Sequence, residues 1–412
     1  MSEVTDEELA RPSADPPAEP GAATAGSAPP ASGWGDSLRF GLWLWLAGLT
    51  VYVLITTVAW LPFDGIRDAP NSFGDALANW HRWDTTWYVI IADSGYTADP
   101  RGAAFFPLYP LLVKALNPLL PGGNFEAALV VSLLACYAAL VVLHRFTTEL
   151  LGGELARRTT FYLLAFPTGF FLAAAYNESL FLALTLGSLY CMRRRHWWLA
   201  GALAGLASGT RLAGALLIVV FAYEYLRQRG FSLRQIRINV LGIVLAPLGL
   251  LAFAAYCWRT FHDPLYFQKA QGVWFRSGFA WPWTTIMDVV RLILHGEPAL
   301  GPTTVRNVIN LATLLGVLVL LYFALDSKWD LGAGTRYLVL FSLLDILMPV
   351  LSPIHADYPL SSMWRFALEC PPVFMVLAKM GRNQTFDRAY LMIALTLQGV
   401  MILTFVQNQF VA

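Results

Sequence analysis

The chain has 412 residues, of which 57% are apolar and only 13% charged, about half the charged share of a soluble globular domain. Its formal charge of +1, with no basic tract, gives nucleic acid nothing to hold. The apolar residues fall in blocks of about 17–25, the length that crosses a hydrocarbon core, so composition excludes an ordinary soluble domain and points to an all-α polytopic membrane protein.

In chain order, the first 36 residues are rich in Pro, Ala, Ser, Asp and Glu, with almost no large apolar side chain before Trp34. Such a segment buries too little surface to offset its ordering entropy, which predicts a disordered tail over 1–36 and a membrane domain over 37–412. It lacks the basic start and apolar core of a cleaved signal peptide. About nine full spans are expected, at 38–62, 125–146, 159–176, 178–192, 238–258, 304–325, 336–352, 364–380 and 389–410. The block 197–226 has arginines at both ends (Arg193 to Arg195, then Arg227 and Arg229), so it is expected to enter and return as a short helical hairpin turning at Ser208-Gly209-Thr210-Arg211. Gly201, Gly205 and Gly209, spaced by four, are a helix-packing signal. Cys136, Cys191, Cys257 and Cys370 all sit in apolar blocks, without disulfide or metal spacing.

The loops sort by charge. Sixteen lysines and arginines fall on one side of this arrangement, in mostly short loops, and ten on the other, mostly in two long loops at about 63–124 and 259–303. The positive-inside rule then puts the N-terminus in the cytoplasm and both long loops outside, the surface being the plasma membrane if the host is bacterial.

In the first long loop Trp80, Trp83, Trp87, Ile90 and Ile91 recur at helical spacing, which predicts an amphipathic helix lying along the membrane surface. Asp84 is one residue round from the tryptophan face, with Trp83 beside it and Tyr88 one turn on. A carboxylate so placed is half-shielded yet open to a groove, which suits a general base. The alternative is a polar residue bonded to His81 or Arg82. Glu178 starts a span, either as a second functional acid or as a carboxylate favoured by the helix dipole. Arg211, at the hairpin turn, needs a partner, and Glu178 is a candidate. Arg365 opens a span, where a cation is poorly placed for the dipole; it either meets a bound phosphate, snorkels to the headgroups, or pairs with Asp357 or Glu369. Gln271 and Trp274, in the second long loop, suit hydroxyl binding and ring stacking, while Trp281 and Trp283 fit an interface belt. His355 and Asp357 are too few for a metal, and no other histidine grouping builds one. The sequon Asn177-Glu178-Ser179 lies so close to the membrane that it reads as chance.

The string His81-Arg-Trp-Asp-x-x-Trp-Tyr-x-x-Ile-Ala-x-x-Gly-Tyr96, followed by Ala104-Phe-Phe-Pro-Leu-Tyr-Pro110, resembles the first luminal loop of the PIG-V mannosyltransferase family. Further matches follow in order at Pro167 to Phe181, Asp263 to Arg276 and Ser361 to Phe374, so that the resemblance covers about 80–375. It implies a GT-C glycosyltransferase fold and inverting transfer of mannose from a polyprenyl-phosphate-sugar donor to a glycolipid or surface-glycan acceptor. No cofactor, metal or nucleotide-sugar site is implied. The family's luminal aspartate falls on Asp84, as catalytic base. Arg365, Arg276 and Arg211 are then candidates for the donor phosphate, where negative charge develops. Glu178, Gln271, Trp274, Trp83 and Tyr88 are candidates for substrate contact. A GT-C transferase for another sugar, or a flippase for a lipid-linked sugar, are the rival readings. The absence of an internal repeat and the gathering of polar residues in loops favour an enzyme over a transporter.

Overall fold

The computed structural model describes residues 33–60, 70–276, 278–296, 298–326 and 328–411. The expected tail therefore lies outside the described residues over 1–32, and its last residues already open the first helix. Seventeen α-helices are described: α1 (Trp34–Val58), α2 (Phe73–Ala78), α3 (Asp84–Ser94), α4 (Leu108–Leu116), α5 (Asn124–Leu151), α6 (Gly153–Ala165), α7 (Glu178–Arg193), α8 (Trp197–Ser208), α9 (Leu217–Arg227), α10 (Leu248–Phe261), α11 (Tyr266–Ala270), α12 (Pro282–Leu294), α13 (Pro302–Leu325), α14 (Arg336–Leu351), α15 (Met363–Phe366), α16 (Pro371–Met380) and α17 (Gln384–Val406). Among these residues the extended backbone is limited to one isolated bridge, Arg276 with Ile354.

Five helices (α1, α5, α13, α14 with the turn before it, and α17) are long and apolar enough to cross a membrane. The segment Ile238–Leu245 and α10 make a sixth if counted as one span bent by 42°, the break falling at Pro247, whose ring and missing N–H interrupt the helical ladder. The expected set of full spans is thus only partly continuous. The span expected at 159–176 stops as α6 at Ala165, just before Pro167, and that at 364–380 is cut by Pro371-Pro372 into α15, a 3-10 turn and the short α16. α7 has 16 residues.

The hairpin forms as expected. Trp197, at the start of α8, packs edge-on against Tyr225 near the end of α9, with ring centroids 4.7 Å apart. The glycine spacing also has a visible cause. A Cβ on Gly201 would collide with the Gly242 carbonyl, one on Gly205 with the Leu245 carbonyl, and one on Gly249 with Gly205 and Gly209. Without side chains at these positions, α8 and the bent segment meet backbone to backbone.

Glu178 and the arginines that follow Met192 lie at opposite ends of α7. α7 runs from Glu178 to Arg193, about 24 Å at 1.5 Å per residue. At the arginine end, Trp34 of α1 meets Tyr190. At the other, Gln407 beyond α17 bonds the Ala59 carbonyl beyond α1, and Phe410 packs edge-on against Trp83.

The surface helix expected around Asp84 is corrected. Trp80 is buried and donates its indole N–H to Thr56 at 3.1 Å, Trp83 has a positive φ of 50°, and the helix begins only at Asp84. α3 then buries Thr85, Tyr88, Ile91 and Ala92 and packs on α4 and α5, so it belongs to the protein body and does not float on the surface.

Candidate active site

The site is framed by the irregular connector between α6 and α7, residues 166–177. Irregular backbone at membrane depth is tolerated only where protein satisfies it, and this stretch is tied from four directions. Thr85 at the start of α3 donates to the Ala175 carbonyl (3.2 Å), and Ser132 of α5 to the Tyr176 carbonyl (2.8 Å). Asn177 donates to the Thr210 carbonyl at the hairpin turn (2.9 Å), and Thr168 to the Trp364 carbonyl of α15 (2.8 Å). The four elements that carry charge are thereby held together.

Arg365 is their hub. Its Nη2 donates to Asp84 Oδ2 at 2.8 Å and its Nε to Glu178 Oε1 at 2.9 Å. Its guanidinium also lies over the rings of Phe171 and Tyr176, 4.8 and 4.9 Å from their centroids, a favourable cation–π setting. Arg211 reaches the same Glu178 oxygen at 2.7 Å, donates to Asn177 Oδ1 at 3.0 Å, and pairs with Glu369. Both helices that present Asp84 and Arg365 start after a residue of positive φ, Trp83 and Ser362, so the chain turns sharply to deliver each side chain.

The two acids on Arg365 differ in access. The Asp84 side chain is 30% exposed, whereas that of Glu178 is fully buried. Only Asp84 can meet a hydroxyl arriving from outside, and the sealed Glu178 is suited to holding the arginines in place. Asp84 is not bonded to its neighbours, the alternative left open above: Arg82 donates to Asn79 (2.7 Å), and His81 stacks on Phe125. Nor does Arg365 pair with Asp357 or Glu369.

The other candidates sit further out. Arg276 donates to the Ser352 carbonyl at 3.0 Å and makes no salt bridge among the described residues. Burial, reinforced by the nearby Arg365 and Arg211 charges, pushes it down to about 10, the mark of a cation short of an anion. Tyr88 is buried beside the charged group, edge-on to Phe105 and Tyr109. Trp83, half open, lies against Phe410. Gln271 donates to the Ala104 carbonyl (2.9 Å) and Trp274 packs edge-on against Trp87 and Phe105. Among the described residues no hydrogen bond or ion pair joins either of them to the charged cluster; they bind the second loop to the first.

Two acids escaped the sequence reading as site members. Glu369 is the partner of Arg211, and behind it Asp345 of α14 is fully buried with no hydrogen-bond donor on either oxygen. An acid in the middle of an apolar span is costly unless used, and that was the available signal for Asp345. No group of three His, Cys, Asp or Glu side chains is placed to hold a metal among the described residues.

The chain is 26% identical to GPI mannosyltransferase 2 of Aspergillus fumigatus over 64% of its own length and 66% of that protein's. It is 32% identical to GPI alpha-1,6-mannosyltransferase 2 of Cricetulus griseus over 40% of its length and 35% of the relative's. A GPI mannosyltransferase 2 of Aspergillus oryzae aligns over 90% of the chain and 93% of its own length at 23% identity. The chain thus spans about two thirds of the first of these relatives and about a third of the second. No solved structure matches it. The family model described as Mannosyltransferase (PIG-V) matches residues 66–275, just over half of the chain, and this membrane protein belongs to the PIG-V mannosyltransferase family.

Proposed function

We propose that this protein is a GT-C glycosyltransferase that transfers mannose from polyprenyl-phosphate-mannose to a lipid-linked or cell-surface acceptor on the exoplasmic side of the membrane. The observation that carries the proposal is the convergence of one open carboxylate, Asp84, with a sealed Arg365–Glu178–Arg211 group.

In this reading Asp84 accepts the proton of the acceptor hydroxyl as its oxygen attacks the anomeric carbon. The bond from that carbon to the phosphate oxygen breaks on the opposite face, and the sugar is inverted. The departing phosphate gains charge, which needs preorganised cations close by. Arg365 supplies one, and Arg276, lacking a carboxylate, supplies a second. Glu178 and Glu369 keep the two deeper arginines aligned before the donor arrives, so little reorganisation remains for the reaction itself. The printed names of the relatives, GPI mannosyltransferases, support mannose as the sugar.

Vesicles containing the protein and labelled polyprenyl-phosphate-mannose test this. Label should pass to an extractable acceptor, and Asp84→Asn should slow the transfer about 10²–10⁴-fold, the range for loss of a general base. Label that crosses the bilayer without forming a new bond, unaffected by Asp84→Asn, would overturn the assignment in favour of a flippase. Transfer of a labelled glucose or pentose in place of mannose would overturn the choice of sugar.

A further inference from the structure

A second charged region lies at the far end of α7 from Asp84. The hairpin base and the loop after α9 enclose a cavity of about 560 Å³ lined by Arg195, Arg229, Arg234 and Arg237, together with Trp197, Gln228 and Asn239. It shares Arg195 and Gln228 with an adjoining cavity of about 740 Å³, where Arg145, Arg193, Arg194 and Arg227 face Glu149 and Glu224. The two cavities are not equivalent. In the larger one the acids are engaged: Arg227 holds Glu224 through two bonds of 2.6 and 2.7 Å, and Arg145 lies 2.8 Å from Glu149. In the smaller one, four arginines converge with no carboxylate in the lining and no salt bridge to any of them among the described residues. Arg229 is pinned in place, its guanidinium 3.5 Å from the centre of the Tyr225 ring and its Nε donating to the Gln235 carbonyl at 3.0 Å.

The rim of this cavity is apolar and exposed. Between the arginines the loop reads Gly230-Phe231-Ser232-Leu233, then Gln235-Ile236, then Ile238, and Phe231, Leu233, Ile236 and Ile238 keep 59%, 71%, 42% and 75% of their surface. Like-charged guanidinium groups gathered in a concavity repel one another unless an anion joins them. Exposed apolar side chains at a membrane boundary are at ease among acyl chains. A phosphate headgroup carrying hydrocarbon tails answers both conditions at once.

We infer that this cavity binds an anionic phospholipid of the leaflet opposite the active site, its phosphate between Arg195, Arg229, Arg234 and Arg237 and its acyl chains against Phe231, Leu233, Ile236 and Ile238. The inference does not rest on the transfer reaction proposed above. Charge alone does not distinguish a site from general attraction to an anionic surface, so the test must compare two places on the same face of the bundle.

The purified full chain in detergent is titrated with phosphatidylglycerol, and bound lipid is counted by native mass spectrometry. Wild type should retain one phosphatidylglycerol in preference to phosphatidylcholine, and the exposed-residue variant R234Q/R237Q should bind it about thirtyfold more weakly, as expected for loss of two charges near a lipid phosphate. The control R382Q/R388Q, which removes two exposed arginines elsewhere on that face, should bind as wild type does. Equal weakening in both variants would overturn the site as nonspecific attraction, and equal retention of phosphatidylcholine would overturn the headgroup assignment. Displacement of the lipid by millimolar inorganic phosphate, with the phosphate itself retained, would overturn the lipid in favour of a free anion.

Discussion

Arg365 and Asp84, 281 positions apart in the chain, meet at 2.8 Å, and the same guanidinium holds the fully buried Glu178 through its Nε. One cation therefore organises an accessible acid and an inaccessible one, and the two should respond differently to substitution.

Arg365→Ala is expected to weaken donor binding by about tenfold or more while acceptor binding changes much less, because a buried charge pair loses its cation and the donor phosphate loses its ligand. Arg365→Lys should recover only part of this, since an ammonium lacks the planar fork that reaches two acids together. Titration of donor and acceptor separately checks it, and unchanged donor affinity in Arg365→Ala would remove this residue from the site.

Glu178→Gln should act chiefly on stability. It takes a buried negative charge from between Arg365 and Arg211, and breaking one side of a buried ion pair costs about 3–5 kcal/mol. Unfolding by denaturant in detergent is expected to shift by that order, whereas Asp84→Asn, whose partner keeps a second acid and whose side chain is partly exposed, should shift it far less.

His81 gives a dependence on pH. Burial, and then the neighbouring Arg82, lower its basicity from the ordinary value of 6.5. The unfolded chain therefore binds a proton that the folded chain refuses, and folding stability should fall as pH drops below about 6.5. Melting curves from pH 8 to pH 5 should show a shallower decline for His81→Gln than for wild type.

Orientation is open to a direct measurement. Asn71 is exposed in the first long loop, and all four native cysteines are buried, so background labelling is low. Asn71→Cys should react with a membrane-impermeant thiol reagent on intact cells; reaction only after lysis would reverse the proposed topology.

Much of the site was readable before any coordinates, and for identifiable reasons. Arg211 and Arg365 are cations in apolar surroundings, and burial physics obliges each to find an anion; the pairing of Arg211 with Glu178 followed from that. The identity of the other partners did not, because Glu369 and Asp84 are each compatible with several cations until the fold sets distances. The tryptophan spacing around residue 80 misled because periodicity is blind to a backbone turn. A positive φ at Trp83 places Trp80 inside and starts the helix one residue later. The breaks in the expected spans were missed, because hydropathy reads straight through Pro167, Pro247 and the pair Pro371-Pro372, the residues that mark them. The packing of α8 was legible, since glycines at four-residue spacing have few other uses in a membrane helix.

The origin of Arg365 from α15, late in the chain, has a consequence for biosynthesis. Until that segment is inserted and packed, Asp84 has no cation partner, Glu178 is held by Arg211 alone, and Arg211 lacks Glu369. A nascent chain paused before this point holds an unbalanced charge at the boundary of the bilayer, which weakens the joining of its early helices. Packing of the segment that carries Arg365 balances that charge, so chemical competence is withheld until this segment has been made and docked.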